Sequence, residues 1–150
     1  MAHSYHNCLY HFVFSTYQRK NTVSGQWIER LWKYMGGIAR KNEMKALCIG
    51  GTKNHVHLLL IIPAKISPAK AIQLIKGGSA KWVHDNFSDS ADFSWQEGYG
   101  VFTVGFSQIE ATIQYINNQR EHHKVKTFEE EYTAFLEKHQ IQYENKYMFG

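Results

Sequence analysis

Asn54-His55-Val56-His57-Leu58-Leu59-Leu60-Ile61-Ile62-Pro63 is the stretch on which the fold turns. It is short, built from large aliphatic residues and closed by proline, which reads as a buried strand rather than a helix. Side chains alternate along a strand, so His55 and His57 share one face and Val56 takes the other. Their Cα atoms then lie roughly 7 Å apart, within reach of a common metal ion. Histidine is the commonest metal ligand at neutral pH. A buried histidine also serves as a hydrogen-bonded core residue, and at this point both readings stand.

The hairpin and helices work outward from that strand. Met44 to Gly50 is a second strand, and Gly51-Thr52-Lys53 turns it back antiparallel into the histidine strand. Upstream, Tyr5 to Ser15 is apolar on both faces, as a central strand must be. Arg19 and Lys20 follow in a polar loop, where they serve either as phosphate contacts or as solvated charges. Ser24 to Asn42 has helical periodicity through Trp27, Ile28, Leu31, Trp32, Met35 and Ile38, with Ser24 as N-cap. Ser67-Pro68 opens a helix that runs to about Asn86. Its Gly77-Gly78 pair costs roughly 1 kcal/mol per glycine, which marks either a kink or a close approach.

Downstream, Trp95 to Gly100 turns the chain into a strand over Val101 to Phe106. Ser107 then caps a helix from Gln108 to His123. Its apolar stripe is Ile109, Ile113 and Ile116. Tyr115 and Gln119 stack four residues apart on another face. That face either displays Tyr115 for use or leaves it as an ordinary surface tyrosine. Thr127-Phe128-Glu129-Glu130 forms a capping box, and Phe128, Tyr132, Phe135, Leu136 and His139 make the stripe of the last helix. The tail beyond Ile141 is apolar enough to dock on another surface.

The 150 residues suit one domain, 1–150, with a real core. Charged residues make up 20%, so this is not a disordered composition. Net charge is +4 with nine histidines in reserve, which leans towards nucleic acid as partner. Cys8 and Cys48 build no disulfide framework and fit a reducing cytoplasm. No apolar run reaches the length of a membrane span, and no secretory signal pattern opens the chain.

Three pieces now line up: His55-Val56-His57, Trp95-Gln96-Glu97-Gly98-Tyr99-Gly100, and Tyr115-Ile116-Asn117-Asn118-Gln119. In this order and spacing they resemble the small single-tyrosine HUH transposases of insertion sequences. These are the TnpA-like enzymes that move single-stranded DNA, and the REP-associated tyrosine transposases are their relatives. The resemblance covers nearly the whole chain. It implies a ferredoxin-like α+β fold with a central antiparallel sheet, and the β-α-β-β-α-β order read above agrees.

Position by position, it implies that His55, His57 and Gln119 hold a magnesium or manganese ion. Tyr115 would be the nucleophile, and Lys76 would contact DNA. It further implies a 5′-phosphotyrosine intermediate, recognition of single-stranded DNA hairpins, and a homodimer whose active sites are shared between subunits. Two rivals remain: a catalytically silent, domesticated nucleic-acid-binding protein, and a metal-dependent phosphodiesterase that uses water. No role follows for the Glu121-His122-His123 run.

Overall fold

Four strands form one antiparallel sheet in the order β2-β3-β1-β4, in a computed structural model that describes residues 4–124 and 126–144. The elements are β1 (Leu9–Ser15), α1 (Ile28–Lys41), β2 (Lys45–Gly51), β3 (His55–Ile61), α2 (Pro68–Asn86), β4 (Gly100–Thr103), α3 (Ile109–Asn117), α4 (Gln119–His122) and α5 (Phe128–Lys138). This is the expected ferredoxin-like α+β arrangement, and the two inner strands, β1 and β3, are buried on both faces.

Alternation along β3 divides the core. Val56, Leu58 and Leu60 join Phe12 and Phe14 of β1 beneath α1 and α2. The opposite face carries His55, His57 and Leu59, which lie across from Ser15, Val13 and His11 of β1. Two smaller apolar clusters cover that face. Leu59 and Leu9 meet Ile116 of α3, while Val13 and Phe102 meet Phe128 and Leu136 of α5. The histidines lie between these clusters, so the fold encloses a polar seam in an otherwise apolar layer.

Close backbone approaches set where the helices lie. A Cβ on Gly50 would stand 3.0 Å from the Ile116 carbonyl oxygen, so this glycine lets α3 rest directly on β2. The Gly77-Gly78 pair does not kink α2, which is continuous from Pro68 to Asn86. A Cβ on Gly78 would come within 2.9 Å of Ile38 Cδ1, so the glycine serves close packing of α2 on α1.

Several element boundaries differ from the sequence expectation. The first strand starts at Leu9, and Tyr5 is exposed. Ser24 caps only a turn ahead of α1, where its Oγ accepts from the Gln26 N–H at 3.2 Å. The strand expected over Val101 to Phe106 ends at Thr103, because β4 is an edge strand paired with β1 only from Gly100 to Thr103. Phe106 therefore leaves the sheet and is 82% exposed, at the start of a single tight turn, Phe106–Gln108. The helix expected from Gln108 to His123 breaks at Asn118, between α3 and α4. Asparagine competes with the helical backbone for hydrogen bonds, and two stand together here. Thr127 does form its capping box with Glu130. The tail residues Tyr147, Met148 and Phe149 lie outside the described residues. No helix among those described is long and apolar enough to cross a membrane.

Candidate active site

His55 and His57 are both fully buried. Each ring is tied at Nδ1, which turns its Nε2 toward the seam. His55 Nδ1 lies 2.7 Å from Asn54 Oδ1 and 2.9 Å from Thr52 Oγ1. His57 Nδ1 lies 2.8 Å from Nε2 of His11, the residue two positions from Val13 on the neighbouring strand. Outer partners of this kind fix the ring orientation of metal-ligating histidines.

Three elements converge on the two Nε2 atoms. From α4, Gln119 brings Oε1 to 2.9 Å from His55 Nε2, while its amide donates to the Tyr115 carbonyl at 3.3 Å across the helix break. From the loop after α4, His123 Nε2 lies 3.1 Å from the same Gln119 oxygen. From α5, Glu131 Oε1 lies 3.0 Å from His57 Nε2, 3.3 Å from His123 Nε2 and 3.6 Å from His55 Nε2. The other Glu131 oxygen accepts a hydrogen bond from the Tyr115 hydroxyl. One carboxylate therefore joins the histidine strand to the tyrosine helix.

The electrostatics follow from that enclosure. Burial first, then the neighbouring His57, lowers both His11 and His55 to about 3. Burial alone would raise the Glu131 carboxyl. Hydrogen bonds from His123, His57 and Tyr115 outweigh it and hold the group well below the usual carboxylate range. Burial and the Glu131 charge raise the Tyr115 phenol above its ordinary value, so it rests protonated at neutral pH.

These shifts predict acid lability. Between pH 6.5 and about 3 the unfolded chain protonates His11 and His55 while the folded chain does not. Stability is therefore complete above pH 6.5 and falls as pH drops through that window, by about 1–2 kcal/mol per imidazole at pH 5. Thermal unfolding with a chelator present should show a midpoint several degrees lower at pH 5 than at pH 7. An unchanged midpoint would contradict this burial of neutral imidazoles.

The donor set suits a divalent cation. His55, His57 and Glu131 offer ligand atoms that all lie within 4.8 Å of one another, and all three residues are buried. Two imidazoles and a carboxylate, with a carboxamide oxygen adjacent, are acceptable to first-row divalent ions.

The expected site residues are brought together only in part. His55, His57, Gln119 and Tyr115 meet in one place, built from a single chain. Arg19 and Lys20 lie apart from it, at the tight turn Tyr17–Arg19 that follows β1. Arg19 approaches Glu129, with Nε at 3.9 Å from Oε1, and Lys20 is exposed. The ammonium of Lys76 donates to the carbonyls of Gln96 at 2.6 Å and Gly98 at 2.9 Å. It fixes the aromatic–glycine loop, which Thr16 also pins through a bridge to Trp95.

Sequence reading missed Glu131, His123 and His11. Glu131 did carry a signal, since it stands three residues after Phe128 and four before Phe135. That places a carboxylate on the apolar stripe of α5.

A buried histidine pair on an inner strand, facing a tyrosine carried by the helix after β4, is the arrangement of a single-tyrosine HUH protein. Residues 4–119 match the family described as Transposase IS200 like. Over 132 residues the chain is 30% identical to the transposases for insertion sequence element IS200 of Salmonella typhimurium (strain LT2) and Salmonella typhi, covering 83% of this chain and 85% of each relative. Two solved structures share the fold. A candidate transposase from Deinococcus radiodurans R1 aligns with TM-score 0.61 at 23% identity, covering 79% of this chain and 96% of that one. A REP-associated tyrosine transposase bound to a REP hairpin aligns with TM-score 0.61 at 12% identity, covering 82% and 73%. The chain belongs to the IS200-like family of single-tyrosine HUH transposases. Glu131 and His123 both lie beyond the residues matched to that family.

Proposed function

We propose that this transposase cleaves and rejoins single-stranded DNA at insertion-sequence ends through a 5′-phosphotyrosine on Tyr115. The observation that carries this reading is the Glu131 carboxylate, which binds the Tyr115 hydroxyl with one oxygen and lies among the imidazoles with the other. Nucleophile and metal-ligand group are thereby held in one geometry.

His55, His57 and Glu131 would hold the divalent ion, with Gln119 Oε1 as a further donor. Family resemblance favours magnesium or manganese. When bound, the ion supplies positive charge to the non-bridging oxygens of the scissile phosphate. His11 and Asn54 keep the two histidine rings aligned. Tyr115 Oη attacks phosphorus in line with the O3′ leaving group, so a Tyr–O–P bond forms as the P–O3′ bond breaks. Bond formation lowers the proton affinity of the phenol, and its proton passes to solvent while the Glu131 carboxylate orients the hydroxyl through their hydrogen bond. The departing O3′ gains a proton from solvent and becomes a free hydroxyl. The phosphotyrosine conserves the bond energy, so a second DNA end can displace it without ATP.

Single-stranded hairpins are the DNA we assign to it. The hairpin carried by the REP-associated structure supports this, as does the excess of basic residues. Arg19 and Lys20 are the proposed phosphate contacts. Lys76 would act through the Gln96–Gly98 loop it anchors. The free thiols Cys8 and Cys48 suit a reducing cytoplasm.

A homodimer fits the need to process two ends. Sharing of sites between subunits would require α3 to exchange and the Tyr115–Glu131 contact to re-form across the interface. Co-expressing His57→Ala with Tyr115→Phe and purifying the heterodimer tests this, provided each homodimer is inactive. Sites formed across subunits leave one site intact, and half the parental cleavage should remain. A heterodimer with no cleavage means each site is built within one chain and overturns the shared arrangement.

A further inference from the structure

Beside Tyr115, on the side away from the apolar stripe of α3, lies a cavity of about 360 Å³. Two helices make it, each with the same spacing. From α3 and the turn before it come Gln108, Ala111, Thr112 and Tyr115. From α5 come Glu131, Ala134, Phe135 and Lys138. Both sets fall at positions i, i+3, i+4 and i+7, which is one face of a helix. Each face has alanine at its second position, and these two small side chains leave the space between the helices unfilled. The face of α3 that carries Tyr115 is thus turned toward an open space.

The chemistry of the walls is specific. Phe135 supplies an aromatic wall, and its ring packs edge-on against His11 with centroids 5.2 Å apart. His11, on the floor, spends Nε2 on His57, and its Nδ1 has no hydrogen-bond partner among the described residues. Lys126 and Lys138 also line the cavity, and no ion pair ties either to a carboxylate among the described residues. The Glu131 charge is already taken up by imidazoles and the phenol. An aromatic wall, ring-sized space and two cations suit a nucleoside phosphate.

Resting on the transposase reading above, we propose that this cavity seats the nucleoside immediately 3′ of the scissile phosphate, the one retained on the phosphotyrosine. In-line attack decides which nucleoside it is. The leaving O3′ and its sugar depart on the far side of phosphorus from Tyr115, so they cannot enter a cavity beside that tyrosine. The nucleoside joined through its 5′ oxygen is equatorial to the attack axis and stays bonded to the phosphorus that Tyr115 holds, so it can reach a cavity beside the tyrosine. Its base lies against Phe135, and its onward phosphate meets Lys126 or Lys138. The cavity then gives the protein its own contact with the cleaved strand, separate from hairpin binding.

Deoxynucleoside 5′-monophosphates are the direct probes, titrated into the isotopically labelled full chain with magnesium chloride present. Amide resonances of Ala111, Thr112, Ala134 and Lys138 should move and saturate. Ala111→Phe fills the cavity from α3 and Ala134→Phe fills it from α5. Both alanines are exposed, and the amide spectrum itself reports whether each variant keeps its fold. Each variant should weaken nucleotide binding at least about tenfold, and 3′-monophosphates should bind several-fold more weakly than 5′-monophosphates. The proposal is overturned if inorganic phosphate alone produces the same shifts, if folded alanine variants bind as the parent does, or if the two phosphate isomers bind equally. A chain that forms the Tyr115 adduct yet binds no nucleotide here refutes this inference alone. A chain that forms no adduct refutes the transposase mechanism beneath it.

Discussion

Replacing Tyr115 with phenylalanine should abolish the covalent protein–DNA adduct and lower strand cleavage by at least about a thousandfold. The change removes one oxygen and keeps the ring. That ring packs near His11, His57 and Phe135, so the local apolar contacts survive. The lost hydrogen bond leaves Glu131 held by His57 and His123, so the carboxylate is not orphaned. Binding of a single-stranded hairpin should stay within about threefold of the parent, a difference under about 1 kcal/mol. Gel-shift binding and denaturing electrophoresis of labelled DNA read the two quantities separately. An adduct that persists in Tyr115→Phe would remove the tyrosine from the chemistry.

The second large effect is expected at Glu131. Glu131→Ala should weaken manganese binding by about a hundredfold or more, read by calorimetry or by the electron paramagnetic resonance of free manganese. The carboxylate is the only anionic donor in the His55–His57–Glu131 group, and it is 3% exposed. The alanine also strips partners from His57 and His123, so a stability loss of about 1–3 kcal/mol accompanies it. Glu131→Gln separates the two effects. It keeps the shape and an acceptor oxygen while removing the charge, so stability should recover more than metal affinity. Manganese affinity unchanged in Glu131→Ala would exclude the carboxylate from the site. Replacing His57 with alanine should eliminate specific binding altogether.

How much of this was legible in the sequence depended on whether a residue obeyed its own element's periodicity. His55 and His57 stand two apart in an apolar strand, so period two placed them on one face without further help. The hairpin of β2 and β3 and the central place of β1 followed from the same kind of pattern. Tyr115 and Gln119 were different. Helical spacing put them on one face, but only family resemblance made that face a site.

Glu131 was hidden by its surroundings. It follows Glu129 and Glu130, which are exposed, in a helix start where acidic residues are favoured by the backbone dipole. His11 was concealed in a strand read as apolar on both faces, and its meaning comes from β3 lying beside it. Lys76 shows the opposite limit. The resemblance implied a DNA contact, and spacing gave no sign that this lysine lies partly buried over the Phe14 ring and donates to loop carbonyls. Partners contributed by another element cannot be read from spacing within one.

The central claim is that Tyr115 becomes covalently joined to a DNA 5′ phosphate. The most direct measurement is mass spectrometry of the protease-digested adduct, formed from the parent chain, manganese and a single-stranded hairpin substrate. The account predicts a nucleotide mass on the peptide that contains Tyr115, fragmenting as a phosphotyrosine ester. Attachment at any other residue, or cleaved DNA ends with no adduct at all, would contradict it.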